Sequence, residues 1–222
     1  MDVTRLKFVA TEKKGEVTGL WVCPESVTHA LVLAHAASTN IEHASMVAIA
    51  QALHDVGIAT LRYNFPYMEK GGGGLDGRAT CFETVRSAMS QAAELASDTP
   101  LLAGGRSFGG RMTSMAAAEE PISGLTGIVF YAFPLHPAKK PATDRGDHLT
   151  GVGVPMLFLS GTRDALAELE LLEPTVDKLP RGTLHIIDTA DHSFKVLKRS
   201  GLTDEEVQRD SAERVRAWAA GL

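Results

Sequence analysis

Short apolar runs that alternate with segments of helical apolar spacing constrain this chain more than any other feature. Ala30–Ala34 (ALVLA), Ile58–Tyr63, Pro100–Ala103, Gly127–Ala132, Pro155–Ser160 and Thr183–Asp188 read as strands, most of them without the alternation of a half-exposed strand. Continuous runs of this length fit strands covered on both faces. Helices are expected at Glu42–Asp55, Asp76–Ala96, Phe108–Glu119, Ala165–Lys178 and Asp204–Leu222. In the first of these Met46, Ile49, Ala50 and Leu53 recur at helical spacing and Gly57 ends it; Thr203 is placed to cap the last. Ahead of them, Val3–Ala10 and Val17–Cys23 alternate around Lys14-Gly15 and read as a hairpin. This order predicts an α/β protein: a mostly parallel central sheet with an N-terminal antiparallel hairpin and helices on both faces. With 222 residues, residues 1–222 are expected to form a single domain with a core of its own. Ligands of such sheets bind at the carboxyl ends of the strands, which directs attention to the residues following each one.

Composition excludes several functions. Lys and Arg total 22 against 27 Asp and Glu, a net charge of −5, so no general nucleic-acid partner is expected. The longest apolar runs fall far below the roughly 20 residues of a membrane span, so no membrane partner is expected either. Met1–Glu16 is charged throughout and lacks the apolar stretch of a leader. Cys23 and Cys81 form no CxxC and read as reduced thiols, which favours the cytoplasm. His35, His136, His148 and His192, with Asp144, Asp147 and Asp164, show no H-E-x-x-H or comparable spacing. Neither a metal nor another cofactor is therefore expected. No pattern in the chain specifies an oligomeric state.

The strand at Pro100–Ala103 runs into Gly104-Gly105-Arg106-Ser107-Phe108-Gly109-Gly110 and then a helix. This contains G-x-S-x-G. A serine on a tight strand-to-helix turn needs glycines two residues before and after, because a Cβ there meets neighbouring backbone. Such a turn lifts the Ser107 hydroxyl above the sheet and aims the Phe108 N–H at any oxyanion formed beside it. A glycine-rich packing turn is the plainer alternative. A phosphate cradle fits less well, since neither Gly-Lys-Ser/Thr nor G-x-G-x-x-G is present.

Asp164 follows the strand Pro155–Ser160, and His192 follows Thr183–Asp188. Serine, acid and histidine thus come in the order of the α/β-hydrolase fold, each after a strand. The expected roles are Ser107 as nucleophile, His192 as general base and Asp164 as the group that holds the imidazole. Asp164 is also placed to cap a helix starting at Ala165. Asp191 competes for the acid role, although it adjoins His192 and adjacent side chains diverge. After Ala30–Ala34 comes His35-Ala36-Ala37-Ser38, the loop that in this fold gives the second oxyanion N–H, here from Ala36. Alanines replace the glycines usual there. The candidate substrate contacts are His35, Ala37, Arg106, Tyr67 and His136; His35 is equally a structural hydrogen-bonding residue of its loop. Loops Asn64–Arg78 and Phe133–Val154 are long enough to shape a pocket. Arg106 and Arg111 flank the serine turn, with Arg78 a candidate to lie near it, and they suit either an anionic substrate group or an ordinary salt-bridged or solvated surface.

Taken together, LAHAAS, IATLRYNFPYME, LLAGGRSFGGRM, FPLHPAKKP, PMLFLSGTRDAL and ADHSFKVLKRSG resemble the small α/β-hydrolases called dienelactone-hydrolase-like, a family also found as a hydrolase-like domain in some chromatin-associated proteins. The resemblance runs from about Leu31 to the C-terminus. It implies an α/β-hydrolase core without a separate cap domain, with Ser107, Asp164 and His192 as triad. Dienelactone hydrolases themselves use a cysteine nucleophile, so their lactone substrate is not implied.

The expected function is a serine hydrolase that cleaves a small carboxylic ester or related acyl compound through an acyl-enzyme. The alternative is a non-catalytic hydrolase-fold binding module. Acyl transfer, thioester hydrolysis and peptide cleavage are further chemistries open to the same three residues.

Overall fold

In the computed structural model, which describes all residues from Met1 to Leu222, the chain opens with a hairpin of β1 (Thr4–Thr11) and β2 (Gly15–Val22). There follow β3 (His29–Ala34), α1 (Ala44–Asp55), β4 (Ile58–Tyr63), the single turn α2 (Pro66–Glu69), α3 (Arg78–Leu95) and β5 (Leu101–Arg106). Then come α4 (Phe108–Glu119), β6 (Leu125–Tyr131), a 3-10 helix at Asp144–Gly151, β7 (Met156–Arg163), α5 (Leu169–Asp177), β8 (Gly182–Asp191) and α6 (Asp204–Ala219). The strands form one sheet in the order β1-β2-β4-β3-β5-β6-β7-β8. Strands β3 to β8 run parallel; β2 is antiparallel to both β1 and β4. No helix is long and apolar enough to cross a membrane.

Period-two alternation decides which helix covers which face. On β3, Val32 and Ala34 point to one side, where Val85 and Met89 of α3 and Met112 of α4 cover them. Leu31 and Leu33 point to the other, against Met46 and Ile49 of α1 and Val215 of α6. Burial of both faces is why these strands read as unbroken apolar runs. The final helix starts with a capping box: Thr203 accepts from the Glu206 amide while the Glu206 carboxylate accepts from Thr203.

Two features position the site. The chain leaves β3 through α1 to β4, then crosses back to β5 on the opposite side of β3. The ends of β3 and β5 are therefore the point where the winding reverses, and a crevice opens there. Registered pairing sets Ala34 beside Gly105, so the loop after β3 meets the turn after β5.

Several boundaries differ from the sequence reading. Helix α3 begins at Arg78 rather than Asp76, because the Asp76 carboxylate accepts the Tyr67 amide at 2.7 Å and pairs with Lys14 at 2.8 Å. Helix α5 begins at Leu169 rather than Ala165. Loop 133–154 holds the 3-10 helix Asp144–Gly151, and the loop after β4 holds α2; neither was expected.

Candidate active site

Ser107 sits at the junction of β5 and α4 with φ 50° and ψ −114°. Its amide donates to the Tyr131 carbonyl at 2.9 Å, which carries the β5–β6 pairing into the turn. The glycines on either side are required by space. A Cβ at Gly105 would lie 2.4 Å from the Ala34 carbonyl oxygen, and one at Gly109 would lie 2.6 Å from the carbonyl oxygens of Ala34 and His35. Glycine at both positions lets the turn sit directly against the end of β3.

Three side chains from three strand ends meet here. Ser107 Oγ lies 2.8 Å from His192 Nε2. His192 Nδ1 lies 2.9 and 2.8 Å from the two carboxylate oxygens of Asp164. Asp164 is buried at 2% exposure, while the His192 side chain stays 21% exposed. A buried carboxylate facing Nδ1 assigns the proton to that nitrogen and leaves Nε2 to accept from the serine hydroxyl. Asp164 does not cap α5. It turns inward instead, and its Oδ1 also accepts the Leu166 amide at 2.8 Å, which delays the helix to Leu169. Asp191 makes no hydrogen bond to the imidazole and instead accepts the amides of Ser193 (2.7 Å) and Lys195 (3.1 Å), shaping the loop that presents His192.

The amides of Phe108 and Ala36 make no hydrogen bond within the protein. Phe108 is the first residue of α4, where the free N–H groups and the helix dipole favour negative charge. The Ala36 peptide is held from its carbonyl side: that oxygen accepts from the Thr39 amide (3.2 Å) and the Thr39 hydroxyl (3.3 Å) and faces His35 Nδ1 (2.7 Å).

The five candidate substrate contacts divide. His35 is fully buried and is not a substrate contact: Nδ1 faces the Ala36 carbonyl and Nε2 accepts the Phe65 amide at 3.1 Å. Burial pushes its pKa down to about 4, against the hydrogen bond to Ala36, so the ring is neutral at pH 7. His136 is likewise without exposed surface. Its Nδ1 faces the Pro137 carbonyl at 3.0 Å, its Nε2 lies against Glu168, and its amide donates to Leu166, making it a strut behind the Asp164 loop. Tyr67 is buried, and its hydroxyl donates to the Ala37 carbonyl at 2.9 Å, bracing the loop after β3. Ala37 itself is partly exposed beside it. Arg106 is half-buried and engages the histidine loop, Nη2 donating to the His192 carbonyl at 3.3 Å.

Thr39 and Phe65 escaped the sequence reading. Thr39, in the run Ser38-Thr39-Asn40, carries a recognisable turn signal, since threonine hydroxyls bond nearby backbone. Phe65 acts through its amide and carries no such signal. Its ring joins those of His35, Tyr67 and Phe108, with centroids 5.2 to 6.3 Å away. No group of three His, Cys, Asp or Glu side chains is arranged to hold a metal ion.

The chain is similar in structure to a dienelactone hydrolase from Anabaena variabilis, with a TM-score of 0.75 at 18% identity, covering 98% of this chain and 97% of that one. An alpha-beta serine hydrolase homologue from Coxiella burnetii matches with a TM-score of 0.75 at 18% identity over 96% and 98% of the two chains. A lidless serine hydrolase of this fold from Xanthomonas campestris gives 0.74 at 18% identity over 98% and 95%. At such identity these likenesses speak for the fold. The sequence itself matches the model of the alpha/beta hydrolase domain over residues 27–220. From the strand order, the serine turn and that match, the chain belongs to the alpha/beta hydrolase domain family.

Proposed function

We propose that residues 1–222 act as one catalytic domain, a serine hydrolase that cleaves a small carboxylic ester or related acyl compound. The observation that carries this reading is the unbroken hydrogen-bonded line from Ser107 Oγ through His192 to Asp164. In the proposed course, Ser107 Oγ attacks the ester carbonyl carbon as His192 Nε2 takes its proton, and Asp164 stabilises the imidazolium. The amides of Phe108 and Ala36 receive the developing oxyanion. Collapse expels the alcohol, protonated by His192, and leaves an acyl-Ser107 ester. Water then attacks that ester with His192 again as base, and carboxylic acid and free Ser107 result.

The test is hydrolysis of p-nitrophenyl acetate and butanoate by the native chain and by Ser107→Ala and His192→Ala. Each variant is expected to lose roughly 10⁴- to 10⁶-fold in kcat while keeping the native circular dichroism spectrum. Folded variants as active as the native chain would refute the assignment. A native chain inert toward esters and thioesters alike would favour the binding module.

A further inference from the structure

Arg62 is a guanidinium that the fold buries and leaves almost without partners. It lies on β4, between β2 and β3, at 2% exposure. Its Nη1 donates to the Ile41 carbonyl at 2.8 Å, and its other nitrogens make no hydrogen bond within the protein. Nε is itself buried. Arg86, by comparison, holds the carbonyls of Ala116, Glu120 and Pro121. No carboxylate pairs with Arg62: Glu42 stands near it but is bound to Arg5. A buried charge in this state is costly unless an anion completes it.

A cavity of about 370 Å³ opens at this guanidinium, lined by Val3, Arg5, Leu20, Glu42, Val47 and Arg62 among others. Strand register builds its floor. Arg5 pairs with Leu20 and Leu20 with Arg62, so the three form a row across β1, β2 and β4 on one face of the sheet. The row continues to Leu33, which packs against α1, so the cavity lies on the α1 side. Helix α4, which follows Ser107, covers the other side. Val3 and Val47 are exposed and give the mouth an apolar rim. Arg5 and Glu42 offset one another, and Arg62 leaves one positive charge over. A carboxylate matches that charge, and its two oxygens match a guanidinium fork. Strands lie about 4.8 Å apart, so an alkyl tail of about four to six carbons reaches from Arg62 across Leu20.

We propose that this cavity is a binding site, separate from Ser107, for a monocarboxylate with a short alkyl chain. The carboxylate accepts from the free N–H groups of Arg62, and the tail lies over Leu20 between Val3 and Val47. The site goes beyond the serine-hydrolase reading and does not depend on it, since none of its residues belongs to the triad or supplies an oxyanion amide.

The test is isothermal titration calorimetry of the native chain with hexanoate, acetate and hexan-1-ol. Hexanoate is expected to bind once per chain. Acetate, which lacks the tail, and hexan-1-ol, which lacks the charge, are each expected to bind at least about tenfold more weakly. Arg62→Met removes the charge and keeps the bulk; Val47→Asp, at the exposed rim, sets a second carboxylate beside the bound one. Each is expected to weaken hexanoate at least about tenfold while keeping the native circular dichroism spectrum. If Arg62→Met fails to fold, Val47→Asp decides alone, since its side chain is not part of the core. His192→Ala is expected to bind hexanoate as the native chain does. Loss of binding in His192→Ala would place hexanoate in the crevice at Ser107 and overturn the proposal. Hexan-1-ol binding as tightly as hexanoate would make the cavity a plain apolar cleft and overturn it too. So would hexanoate affinity unchanged in Val47→Asp, or no binding at millimolar hexanoate.

Discussion

Ser107 occupies a backbone conformation that L-residues rarely adopt, φ 50° with ψ −114°. Such geometry costs on the order of 1–3 kcal/mol and persists only where surrounding structure enforces it. Glycine would relieve it. Ser107→Gly is therefore expected to be more stable than Ser107→Ala by about 1 kcal/mol in urea unfolding, with both inactive. Equal stability would mean the turn is not strained. Arg106 engages the same site through the histidine loop, its guanidinium reaching the carbonyl of His192. Arg106→Gln is expected to lower kcat about tenfold with KM nearly unchanged, and Arg106→Lys to recover part of it. A change confined to KM would instead place Arg106 against substrate. Individual roles were partly legible in the sequence. Ser107, Asp164 and His192 each follow a strand, and that order is readable. The burial of His35 and His136 was not, because a histidine satisfied by backbone and one aimed at solvent look alike in a string of letters.

At the scale of elements, the turn after β5 and the loop after β3 form one unit. Gly105 and Gly109 let the helix start approach Ala34 and His35, while Tyr67, Thr39 and the Phe65 amide hold the loop from the other side. Gly109→Ala brings a methyl group against rigid backbone at 2.6 Å. It is expected to cost about 2–4 kcal/mol in urea unfolding and to reduce activity further by displacing Ala36. A neutral substitution would show that the two segments are not wedged together. The strands and long helices were legible because both sheet faces are covered and the helices are amphipathic. Helix α5 was misplaced at its start because Asp164, a good capping residue by type, is drawn toward His192 instead. The 3-10 helix after β6 left no periodic signal, its eight residues being mostly polar or glycine.

Over the whole molecule, structural likeness at 18% identity shows that the strand order is carried by pattern rather than by particular residues. A fold so built still stores pH-sensitive groups. The folded-state pKa of His35 lies near 4, below its unfolded value of 6.5. Between these values the unfolded chain binds more protons, so stability is complete above about pH 6.5 and falls as pH drops toward 4. His35 alone gives a slope of up to about 1.4 kcal/mol per pH unit in that window. His148, less buried, adds in the same direction. Urea unfolding of the native chain is expected to weaken from pH 7 to pH 5, and His35→Asn to flatten the dependence. A stability unchanged over that range would contradict a neutral, buried His35. The most direct test of the central claim is mass spectrometry of the intact chain after exposure to a fluorophosphonate. The account predicts one adduct, on Ser107, absent in Ser107→Ala and in His192→Ala. A folded native chain that takes no adduct, or takes it on another residue, would contradict the account.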